Sequence, residues 1–72
     1  MTTEKQYDCH GKTYAKVSDE IENWVLFNYR NRPLQIITGN SLKMRATVEK
    51  VLKEHKIGHV IPSYNLGMII IN

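Results

Sequence analysis

Asp8 and His10 stand two residues apart, with Cys9 between them and Gly11 directly after. On a strand, residues i and i+2 share one face and the residue between them points to the other. Asp8 and His10 can therefore act together, and the same alternation argues against a Cys9–His10 nucleophilic dyad. A carboxylate beside an imidazole fixes its tautomer and raises its basicity, and an ordinary histidine titrates at about pH 6.5. Such a pair can shuttle a proton, which is what phosphodiester cleavage by proton transfer needs, and no metal or cofactor is called for. The plainer role for these residues is local, with Asp8 bonding loop amides and His10 packing a turn.

A second group is Thr38-Gly39-Asn40-Ser41. Gly11 and Gly39 mark places where the backbone turns sharply or comes close to a ligand. The elements around both groups can be read from apolar spacing. Gln6 to His10 forms a short strand closed by Gly11. Thr13 suits a helix N-cap, and Tyr14, Val17, Ile21, Trp24, Val25 and Asn28 share one face of a helix running to about Tyr29, with Leu26 opposite. Asn31-Arg32-Pro33 is a turn, and Leu34 to Ile37 a second strand. A second helix starts near Ser41, buries Met44, Val48, Val51, Leu52 and His55, and stops before Gly58, which suits a C-terminal cap. His59-Val60-Ile61 and Met68 to Ile71 read as a hairpin joined through Pro62 to Gly67. The isoleucine run lacks polar alternation, which predicts a central strand covered on both faces. The order is βαβαββ, an α/β two-layer sandwich with a four-stranded mixed sheet and two helices, in a single domain spanning residues 1–72.

Right-handed βαβ crossovers put consecutive strand-to-helix loops at the same end of a sheet, where helix N-termini offer unpaired amides to an anion. The helices open on Lys12, Lys16, Lys43 and Arg45, with no acid in either first turn. Cations there cost up to about 1 kcal/mol each unless an external anion sits between them and the amides. Both loops are thus expected to converge on one phosphate site formed by Gly11, Lys12, Thr38, Gly39, Asn40, Ser41, Lys43 and Arg45. His55 and His59 are four apart, but Gly58 should break the helix between them, so no metal site is expected. Trp24 sits at core spacing, whereas Tyr64, in a loop, is available to stack on a base.

Composition agrees with a small globular domain. Of 72 residues, 42% are hydrophobic and 24% charged, which permits a core, though a chain this short buries only about 60% of its unfolded surface. The single cysteine cannot form an internal disulfide, pointing to a reducing compartment. The N-terminus lacks the apolar stretch of a signal peptide, and the longest apolar run is far short of the roughly 18 residues that span a bilayer. A cytoplasmic protein with no membrane association is expected. Residues 1–28 carry a net charge of −2 and residues 29–72 a net +5. A basic second half points to an anionic partner, most simply nucleic acid, although a solvated basic face has the same composition.

Tyr7-Asp8-Cys9-His10-Gly11-Lys12-Thr13, then Ile36-Ile37-Thr38-Gly39-Asn40-Ser41, then Gly67-Met68-Ile69-Ile70-Ile71 together resemble the Smr (small MutS-related) domain. That family is marked by an LDLHG-like motif after the first strand, an HGxG or TGxG motif after the second, and a glycine before the last. The resemblance covers nearly the whole chain. Two positions depart from it: Cys9 replaces leucine, and Ser41 replaces the last glycine of the second motif, where a hydroxyl could cap the helix or donate to a phosphate. The resemblance implies a fold like the C-terminal domain of translation initiation factor 3. It also implies an endonuclease acting on RNA or on single-stranded or structured DNA; a domain this small would suit a bacterial or phage genome. Asp8 and His10 would be its catalytic pair. The ribosome is a further partner to consider, and a monomer or weak dimer is expected. A non-catalytic nucleic-acid- or ribosome-binding module of the same fold is the alternative.

Overall fold

The computed structural model describes residues 5–72. Strand β1 (Gln6–Asp8) leads into helix α1 (Tyr14–Asn28), strand β2 (Leu34–Ile37), helix α2 (Leu42–Glu54) and strand β3 (Met68–Ile71). The sheet is mixed, in the order β1-β2-β3, with β1 and β2 parallel and β2 and β3 antiparallel. Asp8 lies opposite Ile37, and Ile37 opposite Met68, so all three strands reach the same end in register.

One face of the sheet carries the core. Tyr7, Cys9, Leu34, Ile36, Ile69 and Ile71 point into it, against Val17, Ile21 and Val25 of α1 and Met44, Val48, Val51 and Leu52 of α2. The 3.6-residue period of the helices and the two-residue period of the strands bring these positions together. Ile21 has no exposed surface, and its truncation to alanine would cost roughly 2–5 kcal/mol. Gln6, Asp8 and Gln35, on the other face, are exposed, so the helices cover one side only and the molecule has two layers.

The caps form where the side-chain chemistry of their residues predicts them. The Thr13 hydroxyl accepts from the Lys16 amide at 3.1 Å, and Ser41 Oγ accepts from the Met44 amide at 3.0 Å. Asn28, buried at the end of α1, satisfies its amide by donating to the Trp24 carbonyl at 2.9 Å. Trp24 is half-buried against the core beside Tyr7, with ring centroids 5.5 Å apart.

Four expectations need correction. Among the described residues the sheet has three strands, not four, because there the His59–Ile61 segment makes only one antiparallel bridge, Val60 to Ile70. The next hydrogen-bonded pairing would need an N–H from Pro62, which has none. The isoleucine strand is therefore not central. β2 takes that place, while the expected cover on both faces of β3 holds in part, since Met68 is buried and Ile70 half-buried on the side away from the helices. His55 is not a core residue either: α2 ends at Glu54, and His55 is exposed, with Nε2 3.3 Å from Glu22 Oε1. The C-terminal cap falls at Lys56 rather than Gly58. Lys56 has φ 55°, and the bonds from Ile57 N to Leu52 O (2.8 Å) and Lys56 N to Lys53 O (3.1 Å) form a Schellman motif.

Candidate functional site

β1 ends in a tight turn. The Cys9 amide still pairs with the Ile37 carbonyl at 2.9 Å, after which Lys12 N donates to Cys9 O at 3.2 Å across a four-residue turn. Gly11, the third residue of that turn, has φ 73°, a conformation that costs an L-residue about 1 kcal/mol or more. The turn lifts His10 above the sheet end while Cys9 stays in the core. Burial pushes the Cys9 thiol up to about 11, so it is protonated at neutral pH and is no nucleophile.

Asp8 organises this loop through one oxygen. Its Oδ1 accepts from the His10 amide at 2.9 Å and meets His10 Nδ1 at 2.7 Å. Both contacts hold the Asp8 carboxyl below the ordinary carboxylate value, the backbone hydrogen bond more than the side-chain one. A carboxylate only accepts, so Nδ1 must carry the hydrogen, and the neutral ring presents its lone pair at Nε2. Nε2 faces the second loop: a Cβ placed on Gly39 would lie 3.7 Å from it. The side chains of His10 and Asp8 are 74% and 60% exposed.

The second loop is shaped from behind. Gly39 has φ 66°, and the Gly67 carbonyl accepts both the Thr38 amide (2.8 Å) and the Gly39 amide (3.0 Å). A Cβ on Gly67 would come 3.0 Å from the Gly39 carbonyl oxygen, so a side chain there would fit only if the Gly39 backbone gave way by a few tenths of an ångström. Asn65 Oδ1, accepting from the Gly67 amide at 3.0 Å, holds that segment in place.

The two loops enclose one open groove of about 380 Å³, lined by Cys9, His10, Gly11, Lys12, Tyr14, Thr38, Gly39, Asn40, Ser41 and Met44. Both helices start at it, and their first amides, Tyr14 and Ala15 in α1 and Leu42 and Lys43 in α2, sit where no intrahelical acceptor exists. Lys43 reaches across, its Nζ 4.6 Å from the centre of the Tyr14 ring, so a cation stands between the two helix starts. Among the described residues no acidic side chain lines the groove.

Several expected phosphate contacts are redistributed. Thr38 and Gly39 line the groove, but their amides are spent on Gly67, so they supply a wall and not donors. Lys12 also lines it, yet its ammonium lies 3.3 Å from Glu20 Oε1 and 4.2 Å from the centre of the Tyr7 ring, partly neutralised there. Arg45 is absent from the groove: Nη1 donates to the Leu66 carbonyl at 3.2 Å, on the far side of the second loop. Asn40 and Ser41 line the groove as expected. Ser41 Oγ accepts as a cap, leaving its own hydrogen to donate. Tyr14, expected in the core, stands half-exposed at the rim. Gly67 was legible as a glycine ahead of a strand but not as the brace of the second loop.

His55 and His59 turn to different partners, Glu22 and Glu49. Among the described residues no three histidine, cysteine or acidic side chains come together as metal ligands would. No helix among them is long and apolar enough to cross a membrane. No family model, no curated protein and no solved structure matches the chain.

Proposed function

We propose that this protein is a small nucleic-acid-binding endonuclease of the Smr type, cytoplasmic, cleaving phosphodiesters in RNA or in single-stranded or structured DNA. The observation that carries the reading is the meeting of the Asp8–His10 pair with the second loop across a groove where two helices begin and which no acid among the described residues lines. A phosphate seated there would face unpaired helix amides, the Ser41 hydroxyl and the Lys43 ammonium. His10 Nε2, oriented by Asp8, would then take a proton from the attacking oxygen or return one to the leaving oxygen. The reading includes the motif resemblance around Asp8–Gly11 and Thr38–Ser41, a fold like the C-terminal domain of translation initiation factor 3, and the ribosome as a further partner.

The test is incubation of the purified protein with end-labelled RNA and DNA, beside His10→Ala and Asp8→Asn. His10→Ala is expected to lower cleavage by about 10²- to 10⁴-fold while keeping most affinity. Asp8→Asn should lose less. A 2′-deoxy substitution at the scissile nucleotide separates attack by the 2′-hydroxyl, which needs that group, from attack by water. Undiminished cleavage by His10→Ala would overturn the assigned proton shuttle.

A second reading rests on the exposure of the pair. Acid–base groups work best where water is excluded, and His10 and Asp8 stand largely in solvent. Together with Ser41 in place of glycine, this favours a non-catalytic module that binds nucleic acid through the same groove. Tight binding with no cleavage of any substrate would decide for it.

A further inference from the structure

We propose that the slot between Leu42 and Leu66 receives one unpaired nucleobase, next to the phosphate held at His10, so that the nucleic acid this protein takes is single-stranded at the site. The proposal rests on the nucleic-acid reading above and adds the form of the nucleic acid.

The slot, about 180 Å³, lies on the other side of the second loop from the His10 groove. Gly39, Asn40 and Ser41 line both, so the slot and the groove share that loop as a common wall. Leu42 and Leu66 form its apolar part and are 70% and 64% exposed, so neither serves the core. Two leucines standing in water beside a charged groove gain when a flat apolar surface covers them.

Arg45 sets the chemistry of the occupant. Its guanidinium is tied to the Leu66 carbonyl at 3.2 Å and is therefore held at the slot rather than left to swing through solvent. A fixed guanidinium plane stacks on a base and offers donors to its edge. Among the described residues no acid lines the slot or the groove, while Arg45 lines the slot and the Lys43 ammonium stands over Tyr14 at the groove. The complementary ligand is thus anionic and presents a flat apolar group one step from its charge. A single strand meets both conditions. A duplex offers the phosphates but keeps its bases stacked and paired, and an acidic peptide offers the charge without the flat group.

The experiment titrates the full chain into an oligonucleotide carrying 2-aminopurine, once as a single strand and once annealed to its complement. Wild type is expected to bind the strand about tenfold more tightly than the duplex and to change the 2-aminopurine emission. Leu42→Ala/Leu66→Ala should bind strand and duplex alike, with the salt dependence of strand binding unchanged because the phosphate contacts persist. Both leucines are exposed, so the double variant should melt as wild type does. Arg45→Gln, which removes the cation and its bond to the Leu66 carbonyl but keeps both leucine side chains, should reduce the preference in the same direction. Equal affinity of wild type for strand and duplex, or an undiminished preference in the double variant, would overturn the slot while leaving nucleic-acid binding in place. No binding to either form would overturn the nucleic-acid reading and the slot with it.

Discussion

The two loops that enter α1 and α2 are built alike and do opposite jobs. Each follows a strand of the parallel pair, holds a glycine at positive φ, and ends in a hydroxyl cap. The first carries ionisable groups and braces itself, since Asp8 bonds both the amide and the ring of His10. The second, Thr38-Gly39-Asn40-Ser41, has no titratable side chain and is braced from outside by Gly67 of the segment leading into β3. A reactive group is best held by local bonds that survive motion of its neighbours. A binding wall, in contrast, needs backing from a rigid element.

The sharpest way to break the comparison is a methyl group on each supporting glycine. Gly67→Ala puts a Cβ within 3.0–3.2 Å of the Gly39 backbone, so it should cost about 1–3 kcal/mol and weaken binding as the second loop shifts. Gly11→Ala meets nothing within 4 Å and should cost only the positive φ, about 1 kcal/mol. Thermal unfolding checks both, since each kcal/mol moves the midpoint by about 4–8 °C in a domain of this size. Equal losses would mean the loops are supported in the same way.

Charge gives a smaller contrast. Lys43→Ala, which removes the ammonium over the Tyr14 ring, should flatten the log–log salt dependence of binding by about 0.7 to 0.9, the share of one phosphate contact. Lys12→Ala should change it less, because Glu20 already holds that ammonium. Measuring affinity over a salt series separates the two.

The smallest effect is in pH. The Asp8 carboxyl is held below the ordinary carboxylate value of about 3.9, first by the His10 amide and second by its ring. Its contribution to the folded state is therefore present above that value and lost as pH falls through the lowered one. Carboxyl NMR should show the low midpoint. His10→Ala should raise it only part-way, since the backbone N–H stays. The second loop, with nothing to titrate, should be indifferent to pH across the same range.

Much of this architecture was legible because its determinants are local. Thr13 and Ser41 cap their own helices through hydroxyls a few atoms from the amides they bind, and the alternation of β1, continued one residue past its end, leaves Asp8 exposed and Cys9 in the core. What escaped depends on contacts distant in sequence. The fourth strand fails because Pro62 has no N–H to extend the Val60–Ile70 bridge, and the displacement of Arg45 follows from where the Leu66 loop comes to rest. His55 matches the apolar stripe of α2 but falls one residue past the helix end. Lys56 takes the left-handed cap that glycine ordinarily fills, and no residue type announces that choice.

That the two loops form one binding site is tested most directly by following backbone amides by NMR while a short single-stranded oligonucleotide is added. The account predicts that the amides of Gly11 and Asn40 shift together, along one titration curve with a single Kd. Shifts confined to one loop, or centred on exposed Phe27 at the far end of α1, would contradict it.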